Sequence, residues 1–118
     1  MDIRKLVYET LINDATLCAL LAEGAKSVYT TYSEDAGTYP VVVVSLVDDV
    51  PELHADNKEI ASLIRFQVTI ITEDAEYNAI ESLVQKDMLD LGAMRALTTE
   101  YRDNQHFRVL QFRIPNLV

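Results

Sequence analysis

Residues 64–70 read Ile64-Arg65-Phe66-Gln67-Val68-Thr69-Ile70, a strict alternation of apolar and polar side chains. A period of two puts Ile64, Phe66, Val68 and Ile70 on one side and Arg65, Gln67 and Thr69 on the other, as in a strand with one buried face. Upstream, Tyr39-Pro40 opens the run Val41-Val42-Val43-Val44-Ser45-Leu46-Val47. Apolar on both faces and entered through a proline at its first position, this run reads as a central strand. The intervening residues 48–59 hold Asp48, Asp49, Glu52, Asp56 and Glu59 together with Pro51, His54, Asn57 and Lys58. They predict a long acidic loop that joins the two strands as a hairpin arm.

Beyond Thr72-Glu73 the period changes from two to 3.6. Asp74 stands as a cap, Glu76 in the first turn, and Tyr77, Ile80, Leu83, Val84, Met88 and Leu91 form an apolar stripe running to Gly92. The spacing predicts a helix from Ala75 to Leu91. Residues 94–101 and 107–114 read as two strands around the polar turn Arg102-Asp103-Asn104-Gln105, with Pro115 ending the ladder. At the other end, Ile3, Leu6, Val7 and Leu11 predict a helix over 3–13. Asp14 caps a second short helix carrying Leu17, Leu20 and Leu21, and Gly24 follows. Val28 to Tyr32 reads as a short strand, followed by turn chemistry at Ser33-Glu34-Asp35-Ala36-Gly37. The expected fold is an α+β domain spanning residues 1–118. Its order is α-α-β-β-β-α-β-β, with an antiparallel sheet of four to five strands and the helices mainly on one face.

The chain of 118 residues has 19 acidic and 10 basic side chains, for a net charge of -9. That charge argues against sequence-specific nucleic-acid binding, which needs clustered Lys and Arg. The longest apolar run is far shorter than a membrane span, and Met1-Asp2-Ile3-Arg4-Lys5 lacks the apolar core of a signal peptide. One cysteine, Cys18, cannot form an internal disulfide and reads as a small core residue. The charge is uneven: residues 1–90 carry 6 basic and 17 acidic groups, a net of -11. Residues 91–118 carry Arg95, Arg102, Arg108 and Arg113 against Glu100 and Asp103, a net of +2. Two regions of opposite sign on one chain suit a head-to-tail contact between copies, the kind that closes into rings.

No GxGxxG, GxxxxGK[ST], HExxH, GxSxG or CxxC occurs, so phosphate-cradling, zinc and nucleophile-elbow chemistries have no support, and no cofactor is expected. Asp48, Asp49, Glu52 and Asp56 lack the alternation and central Gly of a calcium loop and read as a solvated arm. His54 and His106 have no catalytic partner at a diagnostic spacing.

The two-part N-terminal helix, Val28-Tyr29-Thr30-Thr31-Tyr32, Tyr39-Pro40-Val41-Val42-Val43, the acidic hairpin, Phe66-Gln67-Val68-Thr69-Ile70, the helix from Ala75 to Leu91 and the final strand pair together resemble the tail-completion family of long-tailed bacteriophages. These tail-to-head joining proteins are related in fold to tail terminators. The resemblance covers residues 3–114 and implies a non-enzymatic virion structural protein of a phage or prophage. Such a protein is made in the host cytoplasm and assembles as a hexameric ring on the tail tube, where a head-completion or connector protein docks. It would place residues 48–58 at a ring or partner contact. The resemblance pins no individual residue; the opposite charge of the two regions makes Asp48, Asp49, Glu52, His54 and Asp56 on one side and Arg95, Arg102, Arg108 and Arg113 on the other the candidate interface residues. Two readings compete: a small acidic inhibitor or DNA mimic seated in a basic cleft, and a small enzyme or ligand-binding domain with a site drawn from His54, Tyr77 and Asp87.

Overall fold

A computed structural model describes residues 3–22, 24–30, 39–55, 58–74 and 77–117; of these, 25, 46–55, 58–63, 103 and 115–117 are described by backbone alone. The fold is α+β, in the order α1 (Ile3–Ile12), α2 (Ala15–Cys18), a 3-10 turn (Gly24–Ser27), β1 (Val28–Tyr29), β2 (Val41–Ala55), β3 (Lys58–Thr72), α3 (Asn78–Asp90), β4 (Met94–Asp103) and β5 (Gln105–Leu117). One five-stranded sheet has the order β1-β2-β3-β5-β4. Every pairing is antiparallel except that of the two-residue β1 with β2, which is parallel through Val28↔Val42 and Tyr29↔Val43.

Alternation along three strands builds the core. Val42 and Val44 of β2, Ile64, Phe66, Val68 and Ile70 of β3, and Leu110, Phe112 and Ile114 of β5 are buried on one face. Against them pack Ile3, Val7 and Leu11 of α1, Leu17 of α2, and Ile80, Val84 and Met88 of α3. Phe66 and Phe112 sit directly opposite in register and stack with ring centroids 5.6 Å apart. The other face carries a smaller buried group, Val41, Val43, Ile71 and Phe107, with Tyr29 and Tyr39 against it.

Local chemistry sets the helix ends. Asp14 accepts the Leu17 N–H at 3.1 Å and so caps α2 as its position predicts. The Cys18 thiol lies 3.7 and 3.6 Å from the Leu11 and Ile12 carbonyls, where it acts as a weak donor to the open end of α1. After α3, Gly92 at φ 92° lets its N–H reach Leu89 O and the Ala93 N–H reach Met88 O, a Schellman closure that seats Ala93 in the core.

Four expectations need correction. The acidic stretch is not a loop: residues 48–55 continue β2, paired to β3 as far as Ala55↔Lys58. The weak strand propensity of its Asp and Pro residues is overridden by the partner strand, at the cost of register irregularities at 46/48, 51/53 and 53/54. Asp74 does not cap α3, which begins at Asn78 behind Tyr77. Tyr77 is buried, and packing its ring into the core outweighs the local cap signal. Pro115 does not end β5, because it pairs with Leu63 and the ladder runs to Ala61↔Leu117. The β4–β5 turn is tighter than four residues: Asp103 pairs with Gln105 across Asn104, whose φ of 66° is one that Asn tolerates. The expected turn at 33–37, the end of the strand at 31–32 and the helix start at 75–76 lie outside the described residues.

Candidate interaction surfaces

The hairpin leaves the body as an arm. β1 pairs with only two residues of β2, and β4 ends opposite β5 at Met94↔Arg113. Beyond those rows only β2 and β3 remain, joined by β5 as far as Leu117. Fifteen residues at about 3.3 Å each give strands of nearly 50 Å, and the molecule's longest dimension is 51 Å. Asp48, Asp49, Glu52 and His54 occupy β2 positions in this arm, described by backbone alone, and Asp56 lies outside the described residues.

The four arginines of the basic quarter do not form one patch. Register parity puts Arg95, Arg102 and Arg108 on the helix-bearing face and Arg113 on the other. Arg108 is held within the chain: its Nε donates to Glu81 Oε1 of α3 at 3.1 Å and its Nη1 to Glu100 Oε2 of β4 at 3.2 Å. This half-buried bridge fastens α3 to the β4–β5 pair. Arg95, Arg102 and Arg113 are exposed. Arg113 stands directly opposite Arg65, and the row across the sheet runs Asp48, Arg65, Arg113, Met94. Like charges directly opposed cost stability unless an acidic group meets them. Sequence reading missed Arg65 because only the three-strand register brings it to Arg113.

The open face of the sheet holds a shallow concavity of about 130 Å³, lined by Val43, Gln67, Thr69, Tyr101, Phe107 and Val109. Small-molecule sites run to about 300–1,000 Å³, so the space suits one apolar side chain of a partner. Tyr101 and Phe107 stack beside it at 4.7 Å.

The structure separates Tyr77 from Asp87. The two bracket α3, ten residues apart or about 15 Å along the axis, and the His54 side chain is not described. Burial pushes the Tyr77 phenol up, and its hydroxyl is buried without a hydrogen-bond partner. At the far end Asp87, buried, meets Asp14. Asp14 Oδ2 and Asp87 Oδ2 are both buried without a donor, an arrangement a single shared proton resolves. Burial, the hydrogen bond to Asp14 and its charge push Asp87 up to about 7. Burial also acts upward on Asp14, but the Asp87 hydrogen bond, the Leu17 amide and Lys86 outweigh it and hold Asp14 below its ordinary value. Burial and Asp14 raise the Cys18 thiol as well, so it stays protonated. The pair is a latch between α2 and α3. Among the described residues, no group of three or more His, Cys, Asp or Glu is placed to hold a metal ion. No protein-family model matches the chain, and no curated protein is similar to it.

Proposed function

We propose that the chain is a non-enzymatic structural subunit that assembles head to tail into a ring and caps the tail tube of a phage or prophage, forming the surface on which the head docks. The observation that carries this reading is the arm. It is a long β-hairpin leaving the body with five acidic residues, Asp48, Asp49, Glu52, Asp56 and Glu59, against the single Lys58. Beyond the Ala61↔Leu117 pair the tip of the arm is a two-stranded ribbon, which is marginally stable alone in water, so a partner surface is what completes it. In a ring that surface is the next subunit, where exposed Arg113 offers the opposite charge. Arg108 is occupied by Glu81 and Glu100, so Arg113 is the cation to test.

The test is incubation of the purified protein with tail tubes lacking their terminal protein, followed by electron microscopy. Capped, head-competent ends are expected, and Arg113→Glu is expected to lose them while remaining folded. Bare tubes, or tight binding to a nuclease or polymerase in place of tubes, would overturn the reading in favour of an inhibitor.

A further inference from the structure

We propose that two copies of this chain pair through β4, antiparallel, about a two-fold axis between their Thr98 residues, so that two five-stranded sheets join into one of ten. The inference does not depend on the tail-tube reading: the contact is isologous, whereas a ring contact is head to tail.

Strand β4 is the free edge of the sheet, ten residues without proline or lysine. It lacks the prolines and lysines that blunt many exposed edges, its charges being Arg95, Glu100, Arg102 and Asp103, and it shows Met94, Leu97 and Tyr101 at 50%, 52% and 52% exposure. All three lie on the open face, in register with Arg113, Gln111 and Phe107 of β5. An edge with unpaired backbone groups and an apolar row beside it is a template for another strand.

Register identifies that strand as a second β4. The bulge between Arg95 and Leu97 shifts the faces by one residue, so Arg95, Thr98, Glu100 and Arg102 share the helix-bearing face while Met94, Leu97, Thr99 and Tyr101 share the other. With Thr98 on the axis and the same bulge kept, Leu97 meets the partner's Thr99, Arg95 meets the partner's Glu100, and Met94 meets the partner's Tyr101. Every pair then joins like faces, and the Arg–Glu pair occurs twice. Registers shifted toward the C-terminal end fail on charge, since centring on Thr99 sets Arg95 against Arg102 and centring on Glu100 sets that carboxylate against itself, while centring on Leu97 shortens the ladder to residues 94–99 and leaves Glu100 and Tyr101 unpaired. Glu100 takes one bond from Arg108 and is half-exposed, and a carboxylate has room for a second cation. Thr98 Oγ1 is buried without a partner in the single chain. Rotation about its χ1 exchanges hydroxyl and methyl, turning the hydroxyl toward the axis, where the second Thr98 stands.

Sedimentation over about 1 μM to 1 mM chain reads the association. The wild type is expected to dimerise, and Arg95→Glu and Glu100→Arg each to raise the dimer dissociation constant at least about tenfold, two like-charge contacts being created in each. An equimolar mixture of the two variants restores association, because every contact is again Arg to Glu. Thr98→Cys in a Cys18→Ser background gives a covalent dimer on oxidation and covers the case in which Glu100→Arg, having lost its bond to Arg108, fails to fold. A wild type monomeric throughout, a dimer that Arg95→Glu leaves intact, or a Thr98→Cys chain that does not cross-link would each overturn the proposal.

Discussion

Residues 41–45 and 64–72 of the β2–β3 hairpin lie within the body, whereas residues 48–55 and 58–62 of the same two strands lie beyond it. The inner half is flanked by β1 and β5, and on one face its side chains are shut in by three helices, with Val42, Val44, Phe66, Val68 and Ile70 at 0% exposure. The outer half has β5 on one side only, three register irregularities, and acidic residues in place of the valines. One continuous backbone ladder thus serves two ends. Burial makes the inner half stable on its own account, while the outer half holds charge at a distance from the core.

If that contrast is right, the largest loss comes from the inner half. Phe66→Ala removes a fully buried ring that stacks on Phe112 and is expected to cost about 3–5 kcal/mol in urea unfolding. Next comes the latch beneath it. The folded Asp87 pKa of about 7 lies above its ordinary 3.8, so its contribution is fully present below the lower value and lost as pH rises through the higher. Asp14 runs the other way, adding stability above its ordinary 3.8 that is lost on further acidification. Between about pH 4 and 7 stability therefore falls with rising pH, at most by about 1.4 kcal/mol per pH unit for one proton. Asp87→Asn, whose amide can donate to Asp14 permanently, is expected to flatten that slope in unfolding curves taken across the range. A slope unchanged by the substitution would mean that another group carries it.

Smaller again is Arg108→Ala, about 1 kcal/mol for a partly exposed bridge, whereas Arg113→Glu, which turns the contact with Arg65 into one of opposite charge, is expected to raise stability by about 0.3 kcal/mol measured in the same way. The least effect on stability is expected from the arm. Replacing residues 51–62 with a two-residue turn, which joins the paired Val50 and Leu63, should shift unfolding by no more than about 0.5 kcal/mol while abolishing tube capping. A large loss of stability there would erase the distinction between the two halves.

The legible parts of the fold were those with local periodicity. Ile3, Val7 and Leu11 marked α1, the alternation at 64–70 marked β3, and the stripe Ile80, Val84, Met88 marked α3. Where composition and pairing disagreed, composition misled. Asp48, Asp49 and Pro51 look like loop residues and are strand residues because β3 lies alongside. Contacts between distant residues left no local trace. Asp14 and Asp87 are 73 positions apart, Arg65 and Arg113 are 48 apart, and the bridge that occupies Arg108 depends on a helix and a neighbouring strand. The candidate surfaces were accordingly foreseen as regions of charge, and their division between two faces was not.

The order of strands in the sheet, with β5 between β3 and β4, bears on how the protein is made. The strand that knits the sheet together is the last of the five to leave the ribosome. A nascent chain ending at Asn104 has its hairpin and α3 but no bridge to β4, and the backbone groups along one edge of β3 would stand unpaired while Phe66 lacks the ring of Phe112. Productive folding must therefore wait for β5, Gln105–Leu117, and until it emerges the half-built sheet is a surface for chaperones to guard.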